Sequence, residues 1–268
     1  MKLAVQEHLV PGRDLAEKLD NAAAYGFEGI ELLGAGLIER ADEVARAFQN
    51  HPLAVSTICA GFRGCPLSAD KAERDRAMDD VKRLLEVGGG LGAVGLIFVP
   101  VFGGPKLPDL SPLKSPVDLE LDLLVDLLGP VADVAASTGC LLLLEPLNRY
   151  ETHLLRRLSD AVGVVNRVAR SGKNRRAGLA VMADFFHMSI EEDDMAAALG
   201  AAAKHVRHVH LADSQRLQPG TGHTDFRAGF RALKQGGFDD FMALECGIRG
   251  RKAAALPACV SFLKNQLR

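Results

Sequence analysis

The most constraining feature of the sequence is a run of four leucines, residues 141–144, that ends in a carboxylate and a proline. A strand with one face in water alternates apolar and polar residues, so a continuous apolar run predicts a strand covered on both faces, as in a parallel sheet. Pro146 cannot continue the hydrogen-bond ladder. Because ligands bind at the carboxyl ends of such strands, Glu145 is a candidate functional residue, with a plain loop carboxylate as the alternative.

Short apolar runs alternate with segments of helical period along the whole chain. The strand candidates are residues 2–6, 29–33, 53–60, 94–101, 141–145, 179–184, 206–211 and 241–245. Helices are predicted at residues 14–25, 71–87, 119–137, 159–170, 191–199, 226–234 and 253–267, with a kink or break at Pro130. Such βα repeats predict an α/β fold with a parallel sheet, and 268 residues are the ordinary length of a single (β/α)8 TIM barrel. We therefore expect one TIM-barrel domain over residues 1–268.

Composition and charge exclude several classes of function. The net charge of −2 offers no electrostatic basis for binding nucleic acid or an anionic membrane. The five cysteines are scattered and form no C-x-x-C pair, which argues against a disulfide framework and favours a reducing cytoplasm. The N terminus becomes polar too early for a signal peptide. The most apolar stretch, residues 93–104, is too short to span a bilayer, which requires roughly 20 apolar residues.

Two irregular segments stand out between the predicted elements. Residues 103–116 contain four prolines and are either an active-site lid or a long connection, since loops of this length are usually functional or disordered. Residues 219–222, Pro-Gly-Thr-Gly, predict a tight turn before a helix. A phosphate could bind the start of that helix, but a plain turn is the simpler interpretation.

Three further strand candidates have a side chain of a common metal-ligand type at or near their ends: Asp184, His210 and Glu245. In a closed barrel the ends of neighbouring strands share one rim, so these side chains and Glu145 are expected to converge. Three carboxylates and one imidazole suit a divalent ion with open coordination positions, such as Mn²⁺, Mg²⁺ or Co²⁺, better than a closed structural zinc site. Taken singly, each carboxylate could instead be a helix cap or a loop hydrogen-bonder.

At these residues the chain resembles the sugar phosphate isomerase/epimerase superfamily, the xylose-isomerase-like TIM barrels. The similarity is most specific in residues 145–151, 184–187, 208–216, 219–226 and 243–245. It implies that the four strand-end residues bind one catalytic divalent metal, with Mn²⁺ ahead of Co²⁺, Mg²⁺ and Zn²⁺. It also implies that Glu145 and Glu245 are the acid/base pair. The residues after Glu145 look most like the ketose 3-epimerase branch, whereas Ala212 and Asp213 depart from that branch's Gly-Glu pair.

The resemblance also implies a set of substrate-binding residues. Glu151, His187 and Arg216 match positions that contact the substrate in the family, and the alternative for Arg216 is a surface salt bridge. His208 lies two residues before His210, so the two side chains share one face of a strand. We include His208 as a fourth substrate-binding candidate that lines the barrel, with a packed core histidine as the alternative.

The implied activity is a metal-dependent isomerase or epimerase acting on a ketose or related small sugar, phosphorylated or unphosphorylated, through a metal-stabilised enediolate. The alternatives are a dehydratase of a cyclic polyol, a hydroxypyruvate-type isomerase, an endonuclease IV-like AP endonuclease and a non-catalytic sugar-binding barrel. The endonuclease would need extra histidines near residues 58–62 and 98–102, which contain none. The expected partner is a small sugar, with neither nucleic acid nor membrane, and a homodimer or homotetramer is compatible with the family.

Overall fold

The computed structural model describes residues 1–172 and 175–268, and within them the strands close into a barrel in chain order. Every neighbouring pair is parallel, and the last strand pairs with the first. The strands are β1 Lys2–Gln6, β2 Gly29–Leu33, β3 Ala54–Cys59, β4 Gly95–Phe98, β5 Leu141–Leu144, β6 Leu179–Asp184, β7 Val206–Leu211 and β8 Phe241–Leu244. The predicted single (β/α)8 TIM barrel is therefore confirmed.

Helices surround the barrel, and some of their bounds differ from prediction. The described residues form α1 Leu15–Tyr25, α2 Ala41–Phe48, α3 Lys71–Gly90, α4 Pro116–Thr138, α5 Leu158–Arg170, α6 Arg175–Gly178, α7 Phe185–Glu191, α8 Met195–Ala202, α9 Phe226–Gln235 and α10 Lys252–Gln266. None of these helices is long and apolar enough to cross a membrane. The break expected at Pro130 is absent, since α4 continues through that residue.

The prediction of one helix over residues 191–199 is wrong, because one helix ends and another begins within this range. Helix α7 ends at Glu191, and α8 begins at Met195. Asp194 accepts a hydrogen bond from the backbone N–H of Ala197 at 3.0 Å and so caps the start of α8. Apolar period alone could not show that this capping residue starts a new helix.

The leucine run is buried on both faces, as its sequence predicts. Leu142 and Leu144 belong to the large apolar core that includes residues of the surrounding helices. Leu143 belongs to a separate small cluster with Ile97 and Met182, on neighbouring strands of the barrel. The run thus fixes β5 between two apolar layers and delivers Glu145 to the rim.

The proline-rich segment 103–116 is an anchored connection between β4 and α4. Glu120, buried on α4, accepts hydrogen bonds from two backbone N–H groups of this segment, at 2.5 and 3.3 Å. The same carboxylate lies 2.5 Å from Nε2 of His153, in the loop after β5. Gly103 N–H also donates to the backbone oxygen of Glu151 at 2.7 Å. The loops after β4 and β5 are therefore joined.

Candidate active site

Four side chains from consecutive strand ends meet at one point of the rim. Glu145, Asp184, His210 and Glu245 each offer a ligand atom within 4.8 Å of the others. Nδ1 of His210 lies 3.0 Å from Glu245, 3.6 Å from Glu145 and 3.7 Å from Asp184. We call these four residues the rim cluster. The sequence predicted that they would converge, and their roles remain predictions.

Asp184 shows how the local sequence fixes the geometry of this cluster. Its Oδ1 accepts from the backbone N–H groups of Phe186 at 2.7 Å and His187 at 3.4 Å, so it caps the start of α7. Its Oδ2 faces His210 and Arg216. One carboxylate thus starts a helix with one oxygen and presents the other to the rim cluster.

Arg216 lies directly on the rim cluster. Its Nη1 donates to Asp184 Oδ2 at 2.5 Å, and its Nη2 donates to Glu245 Oε2. The guanidinium also lies over the ring of Phe186, with 4.9 Å to the centroid, and the backbone of Arg216 is left-handed, with φ +60°. The salt bridges of Arg216 are therefore made to two carboxylates of the rim cluster, and its contact with substrate remains a prediction.

The pKa values of the rim cluster are shifted by burial and by the charges of neighbouring side chains. Burial raises the pKa of Glu145, and Glu245 adds to this through repulsion. Burial acts in the same direction on Asp184 and Glu245, but the charges of Arg216 and His210 outweigh it and hold their pKa values below the ordinary range. Burial lowers the pKa of His210, yet the surrounding carboxylates raise it well above its ordinary value. The cluster is thus stabilised by positive charge.

Two of the predicted substrate-binding residues are joined by an asparagine beside the rim cluster. Asn148 Nδ2 donates to Glu151 Oε1 at 2.9 Å and lies 2.8 Å from His187 Nδ1. The backbone N–H of Asn148 also donates to that ring nitrogen at 3.3 Å. Since Nδ1 is an acceptor, His187 presents an Nε2–H toward Asp184, 3.7 Å away. His187 and Glu151 are therefore held together beside the rim cluster.

His208 lies beneath the rim cluster, in a buried polar group that we call the support network: Gln6, Glu31, Thr57 and His208. Its Nε2 lies 2.8 Å from Glu31 and 3.3 Å from Thr57, and its side chain is fully buried. This position favours a supporting role for His208 over the predicted contact with substrate.

Glu31 is the centre of the support network, and the sequence analysis missed it. Its carboxylate is fully buried and lies within 3.0 Å of Gln6 Nε2, Thr57 Oγ1 and Nε2 of both His208 and His210. The available signal was one charged residue in the middle of the apolar strand β2, a position that requires hydrogen-bond partners inside the barrel.

Carboxylates occupy both the turn at residues 219–222 and the start of the helix after it, where a phosphate was considered. At the helix start, Asp225 Oδ1 accepts a hydrogen bond from the backbone N–H of Ala228 at 3.0 Å. Asp213 accepts hydrogen bonds from the backbone N–H groups of Gly220, Thr221 and Thr224, at 2.9, 3.1 and 3.0 Å. Because these donors already bind a carboxylate, they are not free for a phosphate. The plain turn is the better interpretation.

The rim cluster fits a divalent cation on the evidence of its own atoms. Nδ1 of His210 is buried and makes no hydrogen bond, although three carboxylates surround it. Once Nδ1 has lost its proton, this imidazole and the three carboxylates would form a suitable donor set for a divalent ion. Glu145, Asp184, His210 and Glu245 are therefore the residues that could hold one.

Comparison with known proteins agrees with this fold. Residues 19–266 match the model of the xylose isomerase-like TIM barrel family. The chain belongs to this family. A 3-dehydro-D-guloside 4-epimerase of Escherichia coli strain K12 is 33% identical over 256 residues, which cover 95% of each chain. The resemblance inferred from the motifs is thus confirmed.

Two further family relatives extend the comparison. The crystal structure of a 3-keto-D-glucoside 4-epimerase from E. coli superposes with a TM-score of 0.87 at 31% identity, covering 99% of both chains. A ketose 3-epimerase of Arthrobacter globiformis is 36% identical over 117 residues, which are 44% of this chain and 38% of its own length. Both kinds of relative are sugar epimerases.

Proposed function

We propose that this protein is a divalent-metal-dependent epimerase that inverts a carbon next to the carbonyl group of a keto sugar. The observation that carries the proposal is the meeting of two glutamates, Glu145 and Glu245, with the unbonded Nδ1 of His210 in one buried cluster. The activities of the related epimerases support it.

The rim cluster would hold the ion, with Mn²⁺ as the first choice. An ion bound there would act as a Lewis acid on the carbonyl oxygen of the sugar and offset the negative charge that develops when the adjacent C–H is deprotonated. His210 contributes its Nδ1 and Asp184 its Oδ2. Asp184 is oriented for this by the cap that it forms on α7.

Glu145 and Glu245 are proposed to exchange the proton. One carboxylate removes the proton from one face of the carbon, and the other returns a proton to the opposite face, which inverts the centre. Each positioned acid or base contributes roughly 10²- to 10⁴-fold in rate.

Polar side chains around the mouth are proposed to orient the sugar. His187 and Glu151, linked through Asn148, would bind hydroxyl groups. Arg216 would bind a further oxygen of the substrate through its guanidinium. A 3-keto glycoside is the first substrate to test, because the 4-epimerase of such a sugar aligns over 95% of the chain, and a ketohexose is the second.

The decisive experiment is proton exchange in deuterated solvent. Protein loaded with Mn²⁺ is incubated with a 3-keto glucoside or a ketohexose, and deuterium incorporation and the new epimer are followed by NMR. We expect one deuterium at the inverted carbon. Glu145→Gln and Glu245→Gln should each reduce the rate by about 10³-fold or more, since each removes a proton-transferring group.

The matched control is Asp239→Asn, which makes the same carboxylate-to-amide change in an exposed side chain that pairs with the N-terminal amine of Met1. It should retain the rate of the parent protein. Absence of exchange with both sugar classes, or parent-like exchange in either glutamate variant, would overturn the proposal.

A further inference from the structure

We infer that Glu31 is a positioning residue that sets the tautomer of His210 and thereby controls how tightly the rim cluster binds a divalent ion. The inference rests on the proposed function only in its assignment of the rim cluster as the metal site. Glu31 lies on β2, which is separated from β8 and its Glu245 by β1.

The two nitrogens of the His210 ring face different partners. Nε2 lies 3.0 Å from both carboxylate oxygens of Glu31. Nδ1 points into the rim cluster, where Glu245 Oε2 is 3.0 Å away. An ionised carboxylate only accepts hydrogen bonds, so Nε2 must carry a proton wherever it bonds to Glu31. When the Nδ1 proton is released, the ring keeps its proton on Nε2, and the Nδ1 lone pair would face the centre of the rim cluster.

The remaining contacts of Glu31 hold its carboxylate in this orientation. Gln6 donates to Oε1 at 2.8 Å, Thr57 donates to Oε2 at 2.6 Å, and His208 Nε2 lies 2.8 Å from Oε2. All of these side chains are buried. Each carboxylate oxygen of Glu31 therefore has a hydrogen-bond donor besides His210. These bonds fix the orientation in which the carboxylate accepts a hydrogen bond from His210.

The support network also reaches a second residue of the rim cluster. Gln6 Nε2, which donates to Glu31, lies 3.0 Å from Oε1 of Glu245 as well. A single amide group thus joins Glu31 to a proposed acid/base residue. Hydrogen-bond partners behind metal-binding histidines typically change metal affinity by 10- to 100-fold when they are removed.

The test is a titration of Mn²⁺ into folded, chelator-treated protein, followed by calorimetry and by metal analysis of the chain. Glu31→Gln should bind Mn²⁺ about 10- to 100-fold more weakly than the parent chain while the stoichiometry stays at one. The control is Asp80→Asn, which neutralises another buried carboxylate, on the outer helix α3, and should leave the affinity unchanged.

Thr57→Val provides a second variant that keeps the carboxylate and its charge. It removes one of the donors that orient Glu31, without touching His210, and should weaken Mn²⁺ binding measurably, by about three- to tenfold. It keeps the inference testable if Glu31→Gln does not fold, and parent-like affinity in Thr57→Val would then overturn it.

Two outcomes would overturn the inference and a third the proposed function. Parent-like affinity in folded Glu31→Gln would show that Glu31 does not position His210. Two ions per parent chain, with one lost in Glu31→Gln, would make Glu31 a direct ligand together with His208 and His210, whose ligand atoms also lie within 4.8 Å. No metal binding by the parent chain would remove the proposed function itself.

Discussion

The rim cluster and the support network are adjacent buried polar groups, and they differ in how the negative charge of their carboxylates is compensated. The support network contains one carboxylate, Glu31, which has a hydrogen-bond donor for each of its oxygens. The rim cluster contains three carboxylates that depend on the charges of Arg216 and His210. A buried carboxylate with a donor for each oxygen helps to specify one structure, whereas several carboxylates that repel one another in a buried place are costly. The comparison indicates that the support network stabilises the fold and that the rim cluster is arranged for chemistry.

The largest expected effect is a difference in stability between two matched substitutions. Glu31→Gln should lower the free energy of unfolding by about 3 kcal/mol, because it leaves buried donors facing an amide. Glu145→Gln should change it by less than about 1 kcal/mol, in the stabilising direction, since it removes one of three repelling carboxylates. Urea unfolding with chelator present measures both. Equal losses would show that the two groups do not differ in the way described.

The affinity of Arg216→Met for Mn²⁺ is a second test of the difference between the rim cluster and the support network. Arg216 holds oxygens of Asp184 and Glu245 and places a positive charge beside them. Arg216→Met should therefore bind Mn²⁺ more tightly than the parent chain, by about tenfold, whereas Glu31→Gln binds it more weakly. Its Michaelis constant for the sugar should rise. Calorimetric titration measures the first effect and initial rates the second, and weaker Mn²⁺ binding in Arg216→Met would contradict this account.

The smallest expected effect is on the stability contributed by an ion pair that lies outside the rim cluster and the support network. Asp80 accepts hydrogen bonds from the guanidinium of Arg63 at 2.8 Å, which lowers the pKa of Asp80 from 3.8 to about 2. Because the folded-state pKa is lower than the unfolded one, the pair stabilises the protein fully above about pH 4 and loses this contribution as the pH falls toward 2.

Asp80→Asn should therefore cost less than about 1 kcal/mol at pH 7, since the arginine is largely exposed. The difference from the parent protein should narrow between pH 4 and pH 2. Thermal unfolding at a series of pH values checks this. A difference that stays constant with pH would mean that the loss comes from packing.

The barrel and the rim cluster could be predicted from sequence because both depend on local patterns. The leucines before Glu145 require burial on two faces, and side chains of metal-binding types lie at or just after the ends of β5, β6, β7 and β8. Chain order then places these strand ends side by side. The pattern of apolar runs was sufficient because a parallel barrel leaves neighbouring strands few other arrangements.

The support network could not be predicted in the same way, because its residues meet across the barrel. Glu31 and His208 are separated by 177 residues, and nothing near either one in sequence indicates the other. Helix α2 and the division between α7 and α8 were missed for a different reason. There the apolar pattern is short, and the start of α8 is set by the cap at Asp194.

The joining of the loops after β4 and β5 bears on attempts to redesign substrate choice. Glu120 holds both loops, through backbone N–H groups of the first and through His153 of the second. The first loop is also bonded to the backbone of Glu151, the proposed sugar contact. Grafting only one of these loops from a relative would break bonds in the other. A change of substrate specificity would therefore require that both loops be exchanged together, with Glu120 retained.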